Sequence, residues 1–528
     1  MSLEENKATV RHYFEDFWNQ GNSDVAMKVV SRFFQHVTLS TTPCRFHRWL
    51  TVLLTLLLLI TLPAPTVHAA SLTVNSLADA DNGSDGVCTL REAITSANNN
   101  ANYHECVSAG YGNDTITFSI GGTITLSSSL PNIIDAAGLT INGGSAVTIS
   151  GNNAVRVLQV NSGAALTLQN LVIANGNASL LSGGLYNLGT ATISNSTFSN
   201  NLGSFGGGID NESSGTLTIS NSTFSGNSAT NSGGAVSSSG TMTVSNSTIS
   251  GNSANTLAGG IAIFGGTVTV SNSTISGNSA NTLAGGLVNN GGTMTINNST
   301  ISGNSADSGG GIYNGSGSTV TVSNSTISGN SASSTFGGGL YNNGGAATIS
   351  NSTISGNSAS SGGGIFNTSS GTVTVSNSTI SANSASSGGG IRNFSGTLTL
   401  ANSIVANSLA GGNCAGSITN GGHNLDSGTS CGWGSSNGSL SNTNPQLGPL
   451  ANNGGPTRTH ALLQGSPAID QGNNSLLPPD SADQDGDGNT GEPIPFDQRG
   501  PGHLRIVGGT VDIGAFERQR VYLPIVIK

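Results

Sequence analysis

VTVSNSTISGNSA, from Val268 to Ala280, followed by AGGLVNNG, from Ala284 to Gly291, returns along this 528-residue chain with small variations. The first Asn of its Asn-Ser-Thr core stands at Asn195, Asn221, Asn246, Asn272, Asn298, Asn324, Asn351 and Asn377, and successive gaps are 26, 25, 26, 26, 26, 27 and 26 residues. Degenerate copies flank the series at Asn170 and Asn402. A fixed period of this size marks a repeat architecture in which each unit is stabilised by its neighbours.

Within one unit the side chains alternate. In Thr267-Val268-Thr269-Val270-Ser271 the valines fall on one face and the threonines on the other, the two-residue period of a strand. Ser273 to Ser276 predicts a second short strand with Ile275 inward, and Gly285 to Asn289 a third. Gly and Asn punctuate them, as bends with positive φ require. Three short strands and three bends describe one coil of a parallel β-helix, and roughly ten coils of 26 residues fill residues 121–412. The fold class is therefore all-β, a β-solenoid. Helical repeats are excluded because no stretch carries a 3.6-residue period and Ser, Thr, Gly and Asn are poor helix formers. Equivalent positions stack about 4.8 Å apart. Asn252, Asn278, Asn304, Asn330 and Asn357 then form a column whose side-chain amides bond along the axis.

A solenoid exposes strand edges at both ends, which need covers. Residues 70–120 supply the N-terminal one. CTLREAI, from Cys88 to Ile94, predicts a cap helix: Thr89 and Glu92 form a capping-box pair, and Leu90, Ala93, Ile94 and Ala97 share one face. From about Asn413 the repeat is lost and Pro, Trp433 and charge appear, so 413–518 reads as a C-terminal cap domain and 519–528 as a terminal tail. Cys88 and Cys106 lie 18 residues apart and Cys414 and Cys431 lie 17 apart, spacings that suit two local disulfides in an oxidising compartment.

Leu50 to Leu62 is a 13-residue apolar run after Arg45 and Arg48, followed by Pro63, Pro65 and the small residues Ala69 and Ala70. Residues 27–69 read as a signal peptide cleaved after Ala69 or Ala70. The run is too short for a membrane span, which needs about 20 residues, so the mature chain is expected to carry none and to be secreted or held at the cell surface. Ahead of it, Glu4 to Val30 resembles the opening helix of polyketide-cyclase-like (SnoaL-type) families over fewer than 30 residues and without active-site residues. Residues 1–26 are expected to be a fusion remnant or a misassigned start. Past residue 69 there are 20 acidic residues against 9 Lys or Arg. That balance argues against a nucleic-acid partner, whose phosphates demand clustered Lys and Arg.

Several motifs together resemble exported right-handed parallel β-helix repeat proteins. CTLREAI is similar to their CSLREA-type N-terminal motif. The Gly-Gly-Ile turn at Gly207 to Ile209 and the Phe-x-x-Asn pairs Phe198/Asn201 and Phe224/Asn227 resemble polymorphic outer-membrane protein repeats. GPLANNGGPTRTHALLQGSPAIDQG from Gly448, FDQRG from Phe496 and VDIGAFE from Val511 are similar to the choice-of-anchor C-terminal domain. The resemblance covers nearly all of 70–518. It implies a right-handed, secreted or surface-displayed β-helix, with an envelope anchor through the C-terminus, and no established reaction.

Parallel β-helices include pectate lyases, whose chemistry demands ionisable side chains that this chain has few of. From Val157 to Ile391 there is no Lys, Arg or His, and the only acids are Asp210, Glu212 and Asp307. Polysaccharide cleavage needs converging carboxylates or a base beside bound calcium, so no catalytic residue is assigned. Asp483, Asp485, Asp487 and Asn489 have the alternating spacing of a calcium loop, with Gly at the turn and Ile494 where an EF-hand carries Glu. They are the candidate ligands of a structural calcium; no other cofactor is required. Outward Thr pairs such as Thr267/Thr269 and Thr293/Thr295 recur once per coil, with Ala346 and Ala347 expected to interrupt them. Together these readings predict an adhesin or matrix protein that binds polysaccharide or another surface. A polysaccharide lyase or hydrolase of the pectate-lyase-like superfamily is the alternative, and an ice-binding solenoid a minor one.

Overall fold

A computed structural model describes residues 71–107, 112–480 and 483–519. Residues 1–26, the signal segment 27–69, the cleavage positions Ala69 and Ala70, and residues 520–528 of the tail lie outside the described residues.

One coil begins with Thr267–Ser271, turns at Asn272 and continues as Thr274–Ser276. The turn is made by the backbone of Asn itself. The first Asn of each Asn-Ser-Thr core from Asn195 to Asn377 has φ between 48° and 50°, a left-handed conformation that Asn tolerates better than any other residue with a Cβ except Asp. Gly277, at φ 62°, makes the next bend. A two-residue strand that the alternation does not announce, Ser279–Ala280, follows before Leu287–Asn289 closes the coil. Four strand segments rather than three therefore make one turn, because Ala280 packs inward between two bends.

Successive coils pair in parallel: Thr241, Thr267 and Thr293 align, as do Val244, Val270 and Ile296, and the register shifts at Gly203/Phe205 and at Asn142/Val147. The chain is an all-β parallel solenoid of about 12 turns of roughly 26 residues. Its ladders continue outside 121–412. Ser71–Val74 pairs with Asp114–Phe118 at one end, and Thr419–Asn420 and Leu425–Asp426 extend the sheet at the other. Among named strands of the described residues, Leu447–Ala451 with Thr459–Leu462 is the single antiparallel pair.

Val268, Val270, Ile275 and Leu287 are fully buried, and the columns they belong to form one core from Leu72 to Trp433. Polar columns run through it. Asn252 Nδ2 donates to Asn278 Oδ1 at 2.9 Å, and the amides of Asn278, Asn304, Asn330 and Asn357 repeat that bond at 2.9–3.0 Å. The same column reaches back to Asn201 and on to Asn383. Each amide also donates to a carbonyl of the previous coil and accepts a backbone N–H, as Asn304 does from Asn278. A buried amide with all its groups engaged avoids the desolvation penalty that an unpaired one carries. A second amide column, Asn289–Asn314–Asn342–Asn367–Asn393, lies under the Leu-Val-Asn strand.

The helix Leu90–Asn99 closes the N-terminal end, with the Thr89/Glu92 capping box formed and Asn100 in the left-handed region. Burial alone would raise the Glu92 carboxyl. Hydrogen bonds from the Thr89 and Asn82 amides and from His104 outweigh it and hold Glu92 below the ordinary carboxylate range. The disulfides Cys88–Cys106 and Cys414–Cys431 staple the two ends. Cys431 and Trp433 complete the core at the C-terminal end.

Beyond that point the chain does not extend the axis. It returns along the flank of the solenoid as a strap. Thr457 Oγ1 donates to the Asn324 carbonyl at 3.1 Å, and Asn351 Nδ2 donates to the Phe496 carbonyl at 3.2 Å. The Ala515 N–H donates to Thr379 Oγ1 at 3.1 Å, and the Asn473 N–H to Asn402 Oδ1 at 2.9 Å. Gln498, fully buried, sits among Ser325, Thr326 and Thr353 of the solenoid and Thr457 of the strap.

Candidate functional site

The middle residue of each Leu-Val-Asn-type strand points outward, so these residues form one column along the third face. In register order it reads Gln159, Tyr186, Asp210, Ser237, Ala262, Val288, Tyr313, Tyr341, Phe366 and Arg392. Its centre is apolar and small: Ala262 and Val288 are buried with Ala258 and Ala284 under Leu257, Phe264 and Leu283. Its two ends differ in chemistry.

At the C-terminal end aromatic rings run from coil to coil. Tyr313 meets Tyr341 edge to face at 5.3 Å, and Tyr341 meets Phe366 at 5.5 Å. Phe336 stacks on Phe366 at 4.4 Å, and Phe394 continues the series at 6.4 Å. The rings lie close to the turn because glycine precedes them: a Cβ on Gly337 would sit 2.7 Å from that of Tyr341, and one on Gly362 2.7 Å from that of Phe366. Phe336 remains 38% exposed and Phe394 65% exposed, while Phe366 between them is buried, so the stripe opens to solvent at those two rings. Arg392 ends it, its guanidinium 5.6 Å from the Phe394 ring centre and bonded to Ser387. The sequence reading missed this stripe, because its aromatics come singly from different coils. The shared position of Tyr313, Tyr341 and Phe366 after Gly-Gly-Ile or Gly-Gly-Leu was the available signal.

At the other end ionisable groups converge that the sequence reading held apart. Arg156, one residue outside the uncharged window, places its guanidinium 5.1 Å from the Tyr186 ring centre and donates to the Ser182 carbonyl at 2.9 Å. The Tyr186 hydroxyl donates to Glu212 Oε1 at 3.1 Å. Asp210 is only 5% exposed. Burial pushes its carboxyl up to about 7; the Ser237 hydrogen bond opposes the rise, Glu212 adds to it, and Arg156 opposes it. Burial and Glu212 likewise push the Tyr186 phenol up to about 12. A cation, a phenol and two carboxyls thus meet on one face, with the least hydrated carboxyl walled in.

The Thr-x-Thr face is flat and regular. Ala346 replaces Thr in the outer column, but Ala347 belongs to the buried column opposite Val320, and Thr348 keeps the second Thr column unbroken. The strap covers the neighbouring Thr-Ile-Ser strands from Thr326 onward. Where it begins, a groove of about 390 Å³ opens between Thr300, Ser302 and Ser328 of the solenoid and Pro456 and Arg458 of the strap. His460, Arg499 and Arg505, scattered in sequence, are buried beneath the strap; Arg499 pairs with Asp497 at 2.6 Å and lies 3.8 Å over the Phe516 ring.

Asp483, Asp485 and Asp487 each bring one carboxylate oxygen within 4.8 Å of the others. Asn489 Oδ1 accepts the Gly491 N–H at 3.2 Å and its Nδ2 donates to Glu492. Among the described residues no helix is long and apolar enough to cross a membrane.

A model of the "Right handed beta helix region" family matches residues 153–327 and, overlapping them, 259–432. Among curated proteins none matches the chain by sequence. Among solved structures, the crystal structure of pectate lyase Pel9A is similar at 16% identity and a TM-score of 0.35, over 86% of this chain and 98% of that one.

Proposed function

The chain belongs to the right-handed β-helix family, and on that premise we propose that it is a secreted or cell-surface adhesin or matrix protein whose solenoid binds polysaccharide. The observation that carries this reading is the aromatic stripe Tyr313–Tyr341–Phe366–Phe394 with Phe336 beside it, in which Phe336 and Phe394 are exposed, the two tyrosines half-buried and Phe366 buried. The faces of sugar rings present C–H groups that pack on aromatic faces, while their hydroxyls suit the Ser, Thr and Asn side chains around them. A stripe that repeats once per coil matches a linear chain lying along the axis. Arg392 at its end favours a glycan bearing carboxylates. The C-terminal segment, with its choice-of-anchor-like motifs, is proposed to hold the protein at the envelope.

The test is retention of the full chain on acidic and neutral polysaccharides, with new chain ends scored in the same samples. Retention without new ends, lost in Phe336→Ala/Phe394→Ala while the melting temperature holds, supports the reading. Equal retention by that variant overturns the stripe as the site.

The alternative, a polysaccharide lyase or hydrolase, is favoured by one observation: the convergence of Arg156, Tyr186, Asp210 and Glu212. Against it, a carboxyl that is 5% exposed does not reach a sugar without rearrangement. New chain ends that vanish in Asp210→Asn would establish the enzyme and displace the adhesin.

A further inference from the structure

The acidic loop of the strap holds a buried group that its sequence spacing does not use. The loop closes on itself at its base: the Asp480 N–H donates to the Glu492 carbonyl at 2.6 Å and the Ile494 N–H to the Pro478 carbonyl at 3.0 Å. Asp480 is fully buried there. Its Oδ2 accepts the Gln484 N–H at 2.7 Å, whereas Oδ1, also buried, has no hydrogen-bond partner. Buried carboxylate oxygens are ordinarily satisfied, and one left bare carries its full desolvation penalty. Asp485 and Glu492 each bring a carboxylate oxygen to Asp480, the three lying within 4.8 Å of one another.

Three carboxylates so close repel one another. Asp485 is shared with the Asp-x-Asp-x-Asp spacing and accepts the Asp487 N–H at 3.4 Å; the other two side chains of that spacing are also partly occupied by their own loop. Asp483 Oδ1 accepts the Gly488 N–H at 3.1 Å and Asp487 Oδ1 the Asn489 N–H at 2.7 Å.

We propose that Asp480, Asp485 and Glu492 bind a divalent cation of the calcium class. Carboxylate oxygens, without nitrogen or sulfur, are the donor set of a hard cation, and Ca²⁺ accepts irregular loop geometry more readily than Mg²⁺. The cation satisfies Asp480 Oδ1 and cancels the repulsion that otherwise opens the loop. It also acts on the solenoid. Gln484 is tethered to Asp480 through its N–H, and its Oε1 accepts from Asn324 Nδ2 at 3.3 Å. Closing the loop therefore fastens the strap to the coil that turns at Asn324.

The experiment uses the full chain stripped with a chelator and titrated with CaCl₂ by calorimetry and with TbCl₃ by luminescence, and with limited proteolysis around residues 483–492. One site is expected, with calcium protecting the loop from cleavage. Asp480→Asn and Glu492→Gln should each weaken binding by about tenfold or more, while Asp487→Asn changes it by less than about threefold. Glu492 is half-buried at the loop mouth, so its variant keeps the test open should Asp480→Asn not fold. Absence of binding overturns the proposal. So does an Asp487→Asn loss as large as that of Glu492→Gln, which would place the ion in the spacing-defined loop instead.

Discussion

Ser271–Ser276 and Ser350–Ser355 are the same hexapeptide, Ser-Asn-Ser-Thr-Ile-Ser, in two places. Both turn at an Asn in the left-handed region, at φ 48° and 50°, and both bury their Ile completely. In the first copy Asn272 is exposed and Thr274 half-buried. In the second, Asn351, Thr353 and Ser355 are buried, bonded to Phe496, Gln498 and His460 of a strap more than a hundred residues further along. The local code builds the coil in both cases. Whether its polar face is a free surface or an internal interface is decided elsewhere in the chain.

The largest expected effect tests whether the core is indifferent to that cover. Asn304→Ala, outside the strap, and Asn357→Ala, within its span, each remove about four hydrogen bonds from the buried amide column. Each should cost about 4 kcal/mol, read as a shift in the urea midpoint. Equal losses are expected, and a clearly larger loss at Asn357 would show that the column and the strap act together.

Next is the staple at the end from which the strap departs. Replacing Cys414 and Cys431 together by Ser should cost about 3 kcal/mol, the loop-closure value for a ring of this size. Proteolysis should begin at the C-terminal coils. Replacing Cys88 and Cys106 should leave those coils intact and loosen the N-terminal cap alone.

A matched pair of small changes sharpens the comparison itself. Thr353→Val strands the buried Gln498 amide oxygen and should cost about 1–2 kcal/mol. The same change at Thr274 should stay within about 0.5 kcal/mol. Equal melting temperatures for the two variants would contradict the buried strap interface.

The last comparison is a pH dependence at Asp210. Its folded carboxyl is raised to about 7 from the ordinary 3.8, so the folded state binds the proton more tightly than the unfolded chain does. The stability this contributes is fully present below pH 3.8 and is lost as pH rises through about 7. Asp210→Asn should therefore raise the melting temperature relative to the parent chain most at pH 8, less at pH 5 and not at all below pH 3.8, as scanning calorimetry across that range would show.

The solenoid was legible because its signals repeat: alternating Val and Thr give the strands, and columns of Asn and Ile in constant register give the stack. The two-residue strand at Ser279 was not legible, since Ser-Ala is too short to show a period. The stripe from Tyr313 to Phe394 escaped because each ring occupies a different coil, and only stacking turns a single aromatic per repeat into a continuous face. Arg156 and Asp210 escaped for the same reason, being 54 residues apart in sequence and neighbours across coils. In the C-terminal segment, where no period exists, Asp480 was passed over in favour of the evenly spaced Asp483, Asp485 and Asp487.

Sequence alone determined the strand–turn unit, its period, the inward and outward faces and the capped ends, because those properties depend on side chains at fixed short offsets. Tertiary structure alone decided which of the repeated faces stay open, which carboxyls lose their water and which aromatics meet. Those outcomes depend on contacts between residues tens to hundreds of positions apart, where burial rather than local pattern sets the free energy.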